Sequence, residues 1–255
     1  MTEKYFDLTG KRALVTGSSL GIGRALARGL AEHGASVVLN ARDAARLSEA
    51  AEALRTDGFD VSEAAFDVTD GTAVRENISR IEDQLGAIDV LINNAGMQHR
   101  APLEEFPEEA WDQLLRTNVT SAFLVGKAVA GHMIGRGQGK IINIASVQSE
   151  LARPGIAPYT ATKGAIRNLT RGMATDWARH GLQCNAIAPG YFKTPLNQAL
   201  VDDPAFTEWL EKRTPAGRWG DVHELVAAAV FLAGSGSSFV NGQTLFVDGG
   251  MTASI

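Results

Sequence analysis

Seven short apolar runs alternate along the chain with stretches of helical periodicity, and this alternation constrains the fold more than any other feature. The runs that we predict as strands are 11–16, 35–40, 61–66, 88–92, 141–145, 182–188 and 244–247. Strands that alternate with helices form a parallel sheet covered by helices on both faces. At 255 residues the chain suits one large domain or two small ones, and no linker divides it. The sequence therefore predicts a single doubly wound α/β domain over 1–255 with a seven-stranded parallel sheet.

A glycine-rich turn follows the first predicted strand. Gly17, Gly21 and Gly23 lie between that strand and a stretch with helical spacing of apolar residues. Glycine lets the backbone turn tightly and approach a pyrophosphate, while the helix N-terminus offers free N–H groups and a positive dipole end. The alternative is a plain glycine-rich turn. The strand-turn-helix context favours a dinucleotide site of the Rossmann type, with contacts predicted at Gly17, Ser19, Leu20, Gly21, Ile22 and Gly23.

The end of the second predicted strand indicates which dinucleotide binds. An acidic side chain there would bind the 2′-hydroxyl of NAD, but this chain has Asn40-Ala41-Arg42. The first carboxylate, Asp43, has the position of a helix cap. Arg42 offers a planar fork of donors to a 2′-phosphate, although it could also be a solvated residue at a helix start. We therefore predict NADP(H), with NAD(H) as the weaker alternative.

The end of the third predicted strand lies where an adenine would bind. We predict cofactor contacts by Asp67 and Val68 there, with Asp67 accepting a hydrogen bond from the adenine amino group. The alternative for Asp67 is a helix N-cap, a role for which Thr69 and Asp70 compete.

Ser146, Tyr159 and Lys163 bring a hydroxyl, a phenol and an amine to the region of the fifth predicted strand. Tyr159 and Lys163 are four residues apart, so both lie on one face of the helix predicted over 159–180. Ser146 directly follows the apolar run 141–145. Ligands in open α/β sheets bind beside the carboxyl ends of strands. The three side chains are therefore predicted to share one site, the alternative being a surface pair on a helix.

In combination, these motifs resemble those of the short-chain dehydrogenase/reductase family. The resemblance rests on Thr16-Gly-x-x-x-Gly-x-Gly23, Asn93-Asn-Ala-Gly96, Ser146, Tyr159-x-x-x-Lys163 and Pro189-Gly190, which follow the family's order over nearly the whole chain. It implies hydride transfer between a nicotinamide and an alcohol or ketone, and a homotetramer. It also implies that Asn118 is a fourth catalytic residue. Further cofactor contacts are implied at Asn94, Ala95, Gly96, Tyr159, Lys163, Pro189, Gly190 and Thr194.

Proton transfer is the expected task of Tyr159. Reduction of a ketone needs a proton for the developing alkoxide, and a tyrosine with its ordinary pKa of about 10 is a poor acid or base at neutral pH. A nearby ammonium stabilises phenolate, so we expect Lys163 to lower the pKa of Tyr159. Ser146 is expected to hold the substrate oxygen, and Asn118 to support a water chain from Lys163 to solvent.

Five segments are similar to one subgroup of that family, the gluconate 5-dehydrogenases, which interconvert D-gluconate and 5-keto-D-gluconate. They are 93–106, 146–165, 188–194, 212–220 and 239–250. A polyhydroxy acid needs a cation for its carboxylate, and the candidates are Arg100, which we favour, Arg153 and Arg213. A surface or subunit contact is the alternative for each. Other substrate contacts are predicted beneath a covering loop at about 190–220, at Ser146, Gln148, Glu150, Tyr159 and Tyr191.

Composition excludes several other functions. The net charge of −5 argues against general nucleic-acid binding, and the longest apolar run, 225–233, is too short to span a membrane. The histidines lack the spacing of metal ligands, so no metal site is predicted. One cysteine, Cys184, suits a reducing compartment, and no signal-peptide core is evident at the N-terminus. We therefore expect a cytoplasmic protein.

Two other functions remain open from the sequence. Within the same class, the substrate could be another ketose or a 3-oxoacyl thioester. The alternative from a different class is a non-catalytic NADP-binding protein, against which the presence of both Tyr159 and Lys163 argues.

Overall fold

The computed structural model describes residues 5–255, which fold around a seven-stranded parallel sheet. The strand order is β3-β2-β1-β4-β5-β6-β7, and every neighbouring pair is parallel. The predicted fold class is confirmed. The strands are β1 Arg12–Val15, β2 Ser36–Ala41, β3 Val61–Ala65, β4 Val90–Asn93, β5 Gly139–Ile144, β6 Leu182–Pro189 and β7 Thr244–Val247.

Nine α-helices connect or flank these strands in the described part of the chain. They are α1 Gly21–Glu32, α2 Ala44–Thr56, α3 Gly71–Gln84, α4 Glu108–Leu115, α5 Ser121–Arg136, α6 Ala157–Trp177, α7 Gln198–Val201, α8 Pro204–Arg213 and α9 Val226–Ala233. A π-helical turn, Arg116–Thr120, joins α4 to α5. Short 3₁₀ turns include Val147–Ser149 after β5 and Pro195–Asn197 before α7.

The core consists of two main apolar layers, one on each face of the sheet. One layer packs α1, α2 and α9 against the strands, with Leu26, Leu47 and Val230 among its buried side chains. The other packs α3, α5 and α6, with Ile78 and Val129 at its centre. Strands buried on both faces are continuously apolar rather than alternating, which is why these runs are conspicuous in the sequence.

One predicted helix differs from the structure in two details. Pro107, followed by Glu108 and Glu109, predicts a long helix with Pro107 as its first residue, whereas the structure begins this helix at Glu108, with Pro107 as its N-cap. That helix is also interrupted by the π turn, which contains Asn118. An extra residue in a helical turn redirects the side chains within it, and such turns are frequent at functional sites. The apolar spacing that predicts helix around Asn118 carries no signal for this insertion.

The strand order places the candidate site. Chain direction across the sheet reverses between β1 and β4, because β2 and β3 lie on one side of β1 and later strands lie on the other. The crevice outside the carboxyl ends of strands at such a switch point is the usual ligand site of open α/β sheets.

No helix within residues 5–255 is long and apolar enough to cross a membrane. The same residues contain no group of three metal-ligating side chains.

Candidate active site

A cleft opens at this switch point and brings most of the predicted site residues together. Its walls include the glycine-rich turn after β1, the ends of β4, β5 and β6, and the start of α6. The segment after β6 closes one side through Thr194, Leu196 and Leu200. Residues separated by more than a hundred positions in the chain therefore face one space.

The glycine-rich turn forms a cradle that side chains would fill. Gly17 has a φ of +63°, and a Cβ on it would lie 2.9 Å from the Cα of Ala95. A Cβ on Gly23 would collide with the Gly17 carbonyl oxygen and Asn94 Nδ2. Helix α1 starts at Gly21 without a side-chain cap and without an acidic residue in its first turn. Its first N–H groups and positive dipole end are thus left for an anion, as a pyrophosphate requires.

Asn94 fastens the end of β4 to this turn. Its Nδ2 donates to the carbonyl oxygens of Thr16, at 2.9 Å, and Gly17, at 3.0 Å. Thr16 Oγ1 in turn accepts from the backbone N–H groups of Asn94 and Ala95. Asn94 and Ala95 both line the cleft. Thr16 is a positioning residue that our residue-by-residue prediction omitted, although it begins the quoted glycine motif.

Four predicted cofactor residues do not line this cleft. Ser19, Arg42, Asp67 and Val68 lie outside its walls, although Arg42 and Asp67 contact each other. Arg42 Nη1 lies 3.7 Å from Asp67 Oδ2, and the Arg42 side chain is 74% exposed. The buried Val68 packs in the α3 layer of the core.

The competing roles as helix caps are resolved at both strand ends. Asp43 caps α2 by accepting from the Arg46 N–H, as expected. Asp70, rather than Asp67, caps α3. Asp67 instead accepts from the N–H and the Oγ1 of Thr69, both at 2.8 Å. Burial opposes ionisation of Asp67, but these bonds and the Arg42 charge lower its pKa.

Ser146, Tyr159 and Lys163 meet at the floor of the cleft. Ser146 Oγ accepts from the Gln148 N–H at 3.2 Å, which fixes the turn after β5. The Ser146 and Tyr159 side chains are hydrogen-bonded. Lys163 Nζ donates to the Ile144 carbonyl oxygen at 2.7 Å and lies 5.6 Å from the centre of the Tyr159 ring. The four-residue spacing on α6 thus places both side chains in the cleft.

Burial shifts both ionisable groups toward their neutral forms. It raises the pKa of Tyr159 to about 12, against the lowering effects of the hydrogen bond to Ser146 and the charge of Arg100. It lowers the pKa of Lys163 to about 8. Our expectation that Lys163 brings the pKa of Tyr159 below its ordinary value is therefore wrong for the protein alone. Spacing in the sequence indicates which groups are close, but not how far they are removed from water.

Asn118 lies behind this floor and not in the cleft wall. Its Oδ1 accepts from the Met97 N–H at 2.8 Å, and its Nδ2 donates to the Met97 carbonyl oxygen at 3.0 Å. Nδ2 also donates to Thr162 Oγ1 at 3.1 Å. The π turn therefore ties the segment after β4 to the helix that carries Tyr159.

The far end of the cleft is cationic and polar. Arg100 lies exposed at the rim, where its Nη2 donates to Asn197 Oδ1 at 3.5 Å, while Arg153 is half-buried. Gln148 Oε1 and Gln98 Oε1 are buried without a hydrogen-bond partner in the described structure. Buried amide oxygens normally have partners, so both are acceptors available to a ligand. We predicted Gln148, whereas Gln98 was missed although it follows the Asn-Asn-Ala-Gly motif.

Two predicted substrate residues are engaged elsewhere. Glu150 forms an ion pair with Arg167 of α6, outside the cleft. Arg213 donates to the Met251 carbonyl oxygen at 3.0 Å and to Ser254 Oγ at 2.8 Å, which fastens α8 to the C-terminal segment. Glu150 was predicted because it closely follows Ser146, and Arg213 because its predicted loop lies near the site; in each case a tertiary partner holds the side chain away.

Tyr191 connects the cleft to an aromatic cluster under the covering segment. Its ring centre lies 5.6, 6.1 and 6.0 Å from those of Phe206, Trp209 and Trp219. Trp209 and Trp219 therefore pack the covering segment against Tyr191. The cluster places Tyr191 at the cleft wall by packing on one side only, which leaves its other side facing the ligand space.

Comparison with known proteins agrees with this geometry. Residues 17–252 match the family model described as enoyl-(acyl carrier protein) reductase. The chain is 64% identical to a gluconate 5-dehydrogenase of Gluconobacter oxydans (strain 621H) and 52% identical to a 5-keto-D-gluconate 5-reductase of Escherichia coli (strain K12), each over 98% of both chains. A crystal structure of a gluconate 5-dehydrogenase from Burkholderia cenocepacia J2315 in complex with NADP and tartrate superposes with a TM-score of 0.97, at 59% identity over 98% of both chains.

Proposed function

The chain belongs to the short-chain dehydrogenase/reductase family, and we propose that it is an NADP-dependent oxidoreductase that interconverts D-gluconate and 5-keto-D-gluconate. The observation that carries this proposal is the cleft in which Ser146, Tyr159 and Lys163 lie between a dinucleotide cradle and a cationic far end. The high identity to relatives named for these two compounds supports the substrate.

NADP(H) fits the residues that would hold it. The cradle formed by Gly17 and Gly23 leaves room that no side chain occupies, and the free start of α1 suits a pyrophosphate. Arg42 would hold the 2′-phosphate, with Asp67 beside it. NADP is also the cofactor in the Burkholderia complex. The bound nicotinamide supplies the hydride for reduction and accepts it in oxidation.

The side chains at the floor would manage the proton. Tyr159 is held as a phenol by burial, so it can donate its proton to the oxygen of a ketone as that oxygen becomes an alkoxide. Ser146, hydrogen-bonded to Tyr159, would hold the same oxygen. Lys163 keeps its ammonium beside the ring by its bond to the Ile144 carbonyl. This ammonium would stabilise the phenolate that remains, and in oxidation the phenolate would take the proton back.

We assign Asn118 a positioning role in this scheme. It keeps Met97, a cleft-lining residue, and the Tyr159 helix in register through three hydrogen bonds. The water chain expected from Lys163 to solvent stays a prediction.

Recognition of a sugar acid follows from the far end of the cleft. Arg100 and Arg153 are candidates for the carboxylate, and Gln98 and Gln148 for the hydroxyl groups. Both guanidinium groups lack a carboxylate partner in the described structure, so they favour an acid as substrate. A neutral ketose or a 3-oxoacyl thioester would leave them without an anion. We also propose that the segment 190–220 covers the bound substrate.

We further propose a homotetramer located in the cytoplasm. Trp111 and Phe123 expose apolar surface on α4 and α5, and Phe239 and Leu245 do so near β7, at the sheet edge. Patches of this kind on two separate faces suit two kinds of subunit contact. The single cysteine, Cys184, is buried and free, which is compatible with a reducing compartment.

The proposal is tested by following NADPH absorbance with 5-keto-D-gluconate as substrate. Tyr159→Phe should lower kcat by roughly 10²–10⁴-fold, because general acid catalysis contributes that much, while NADPH binding measured by fluorescence stays nearly unchanged. Tyr5→Phe, at a half-exposed tyrosine, is the matched control and should keep the wild-type rate. No consumption of NADPH by the wild type, or more than about a tenth of the wild-type rate in Tyr159→Phe, would refute the assignment.

A further inference from the structure

The far end of the cleft carries more positive charge than a sugar monoacid can neutralise. Among the described residues, the cleft walls contain the cations Arg100, Arg153 and Lys163 and no aspartate or glutamate. Lys163 is bonded to the Ile144 carbonyl. Neither arginine forms an ion pair with a carboxylate of residues 5–255.

The two arginines share one neighbourhood. Burial lowers the pKa of Arg100, and the charge of Arg153 lowers it further. Burial raises the pKa of Tyr191, and the charges of both arginines lower it. The Tyr191 side chain is also hydrogen-bonded to Arg153. Two like charges in one partly desolvated space repel each other. The arrangement therefore favours the binding of anions between or beside them.

Arg153 is held in place with donors to spare. Its guanidinium carbon lies 5.4 Å from the centre of the Phe206 ring, and its Nη1 has only a long contact, 3.5 Å, to the Pro154 carbonyl. Its Nε is buried without a hydrogen-bond partner in the described structure. A buried donor without a partner is a rare and unfavourable feature. A ligand carboxylate beside Arg153 would give this N–H group an acceptor.

We propose that this cleft binds sugar diacids, with one carboxylate on Arg100 and the other on Arg153, more tightly than sugar monoacids of the same length. The inference rests on the proposed function, because it uses the same substrate cleft. A monoacid such as D-gluconate brings one negative charge to the two guanidinium groups and leaves one positive charge without a counterion. D-Glucarate has the same six-carbon backbone with a second carboxylate in place of the terminal CH₂OH, so it supplies an anion to each arginine.

Competition against reduction of 5-keto-D-gluconate by NADPH tests this proposal. D-Glucarate should inhibit the wild type with an inhibition constant at least about tenfold below that of D-gluconate, as expected for one added charge-assisted pair. Arg100→Gln and Arg153→Gln should each bring the ratio of the two constants to roughly one, because a single arginine cannot hold two carboxylates. Lys212→Gln removes the same charge from an exposed position on α8 and should leave the ratio unchanged.

Several results would overturn the proposal. One is a wild-type inhibition constant for D-glucarate equal to or above that of D-gluconate. Others are a tenfold ratio that survives in both arginine variants, or one that Lys212→Gln lowers as much as they do. If the wild type does not reduce 5-keto-D-gluconate, the proposed function fails. Calorimetric titration of the NADPH complex with the two acids then still decides whether diacids are preferred.

Discussion

Replacing Arg42 by glutamine should shift the cofactor preference away from NADP(H). Arg42 has one charged neighbour, Asp67, at 3.7 Å, and its side chain is 74% exposed. Two unit charges about 4 Å apart gain only about 1 kcal/mol in water. Asp67 therefore orients Arg42 but binds it only weakly. A 2′-phosphate that accepts two parallel hydrogen bonds can compete with Asp67 for the guanidinium.

The expected loss of NADPH affinity follows from the hydrogen bonds that Arg42 can donate to a 2′-phosphate. A hydrogen bond to a charged group contributes about 1.5–3 kcal/mol. Arg42→Gln should therefore raise KM for NADPH by roughly ten- to hundredfold. KM for NADH should change by no more than about twofold, as for an ordinary surface substitution. Arg46→Gln is the matched control, because Arg46 lies on the neighbouring helix α2 with 58% exposure and pairs only weakly with Asp43, at 4.0 Å.

The assay compares kcat/KM for NADPH and NADH at low and high salt. An Arg42 contact to phosphate predicts a loss confined to NADPH and a weaker salt dependence in the variant. Asp67→Asn separates the two roles of this pair. If Asp67 holds the adenine amino group, both cofactors bind less tightly, whereas an orienting role affects NADPH alone. Equal losses with both cofactors in Arg42→Gln would refute the reasoning.

Two further predictions concern Tyr159 at the floor of the cleft and Asn118 behind it. Because the pKa of Tyr159 is raised to about 12, the phenolate fraction grows about tenfold per pH unit below that value. Gluconate oxidation should therefore rise from about pH 6 to about pH 7, below the pKa of about 8 at which Lys163 loses its ammonium, while reduction of 5-keto-D-gluconate changes little; a parallel profile in both directions would contradict this. Asn118→Ala should lower the free energy of unfolding by about 1–3 kcal/mol by leaving Met97 groups unpaired, and should lower kcat as well. Asn118→Asp keeps the acceptor for the Met97 N–H but turns a buried carboxylate oxygen toward the Met97 carbonyl oxygen, so it should lose at least as much of both, as thermal unfolding and steady-state rates will show.

The cofactor half of the site could be predicted because its determinants are local. A strand, a glycine turn and a helix are adjacent in the chain, and the positive φ values of Gly17 and Gly21 are a property of that turn alone. The spacing of Tyr159 and Lys163 is likewise fixed by one helix. Strand order follows less directly, but buried parallel strands leave long apolar runs that alternate with helices.

The substrate half could not be predicted to the same depth because its determinants are tertiary. Sequence proximity to Ser146 suggested Glu150, but Arg167 one helix away takes its carboxylate. Arg213 was plausible until the C-terminal segment provided its acceptors. Gln98 lies two residues after the Asn-Asn-Ala-Gly motif, but that position does not tell whether its side chain faces the cleft. Only the burial of its unpaired oxygen indicates a ligand contact.

Burial decides the protonation state of Tyr159 in the protein alone. A charge four residues away suggests a stabilised phenolate, but burial of the phenol outweighs that effect, and the same burial lowers the pKa of Lys163 to about 8. The protein alone therefore holds a protonated phenol, which is the form required to donate a proton to a ketone. Oxidation has to generate the phenolate in the same desolvated place, where the charge of Arg100 lowers the pKa of Tyr159. An anion that neutralises Arg100 removes this help, so a carboxylate placed there should favour the acid form of Tyr159 and thereby reduction over oxidation.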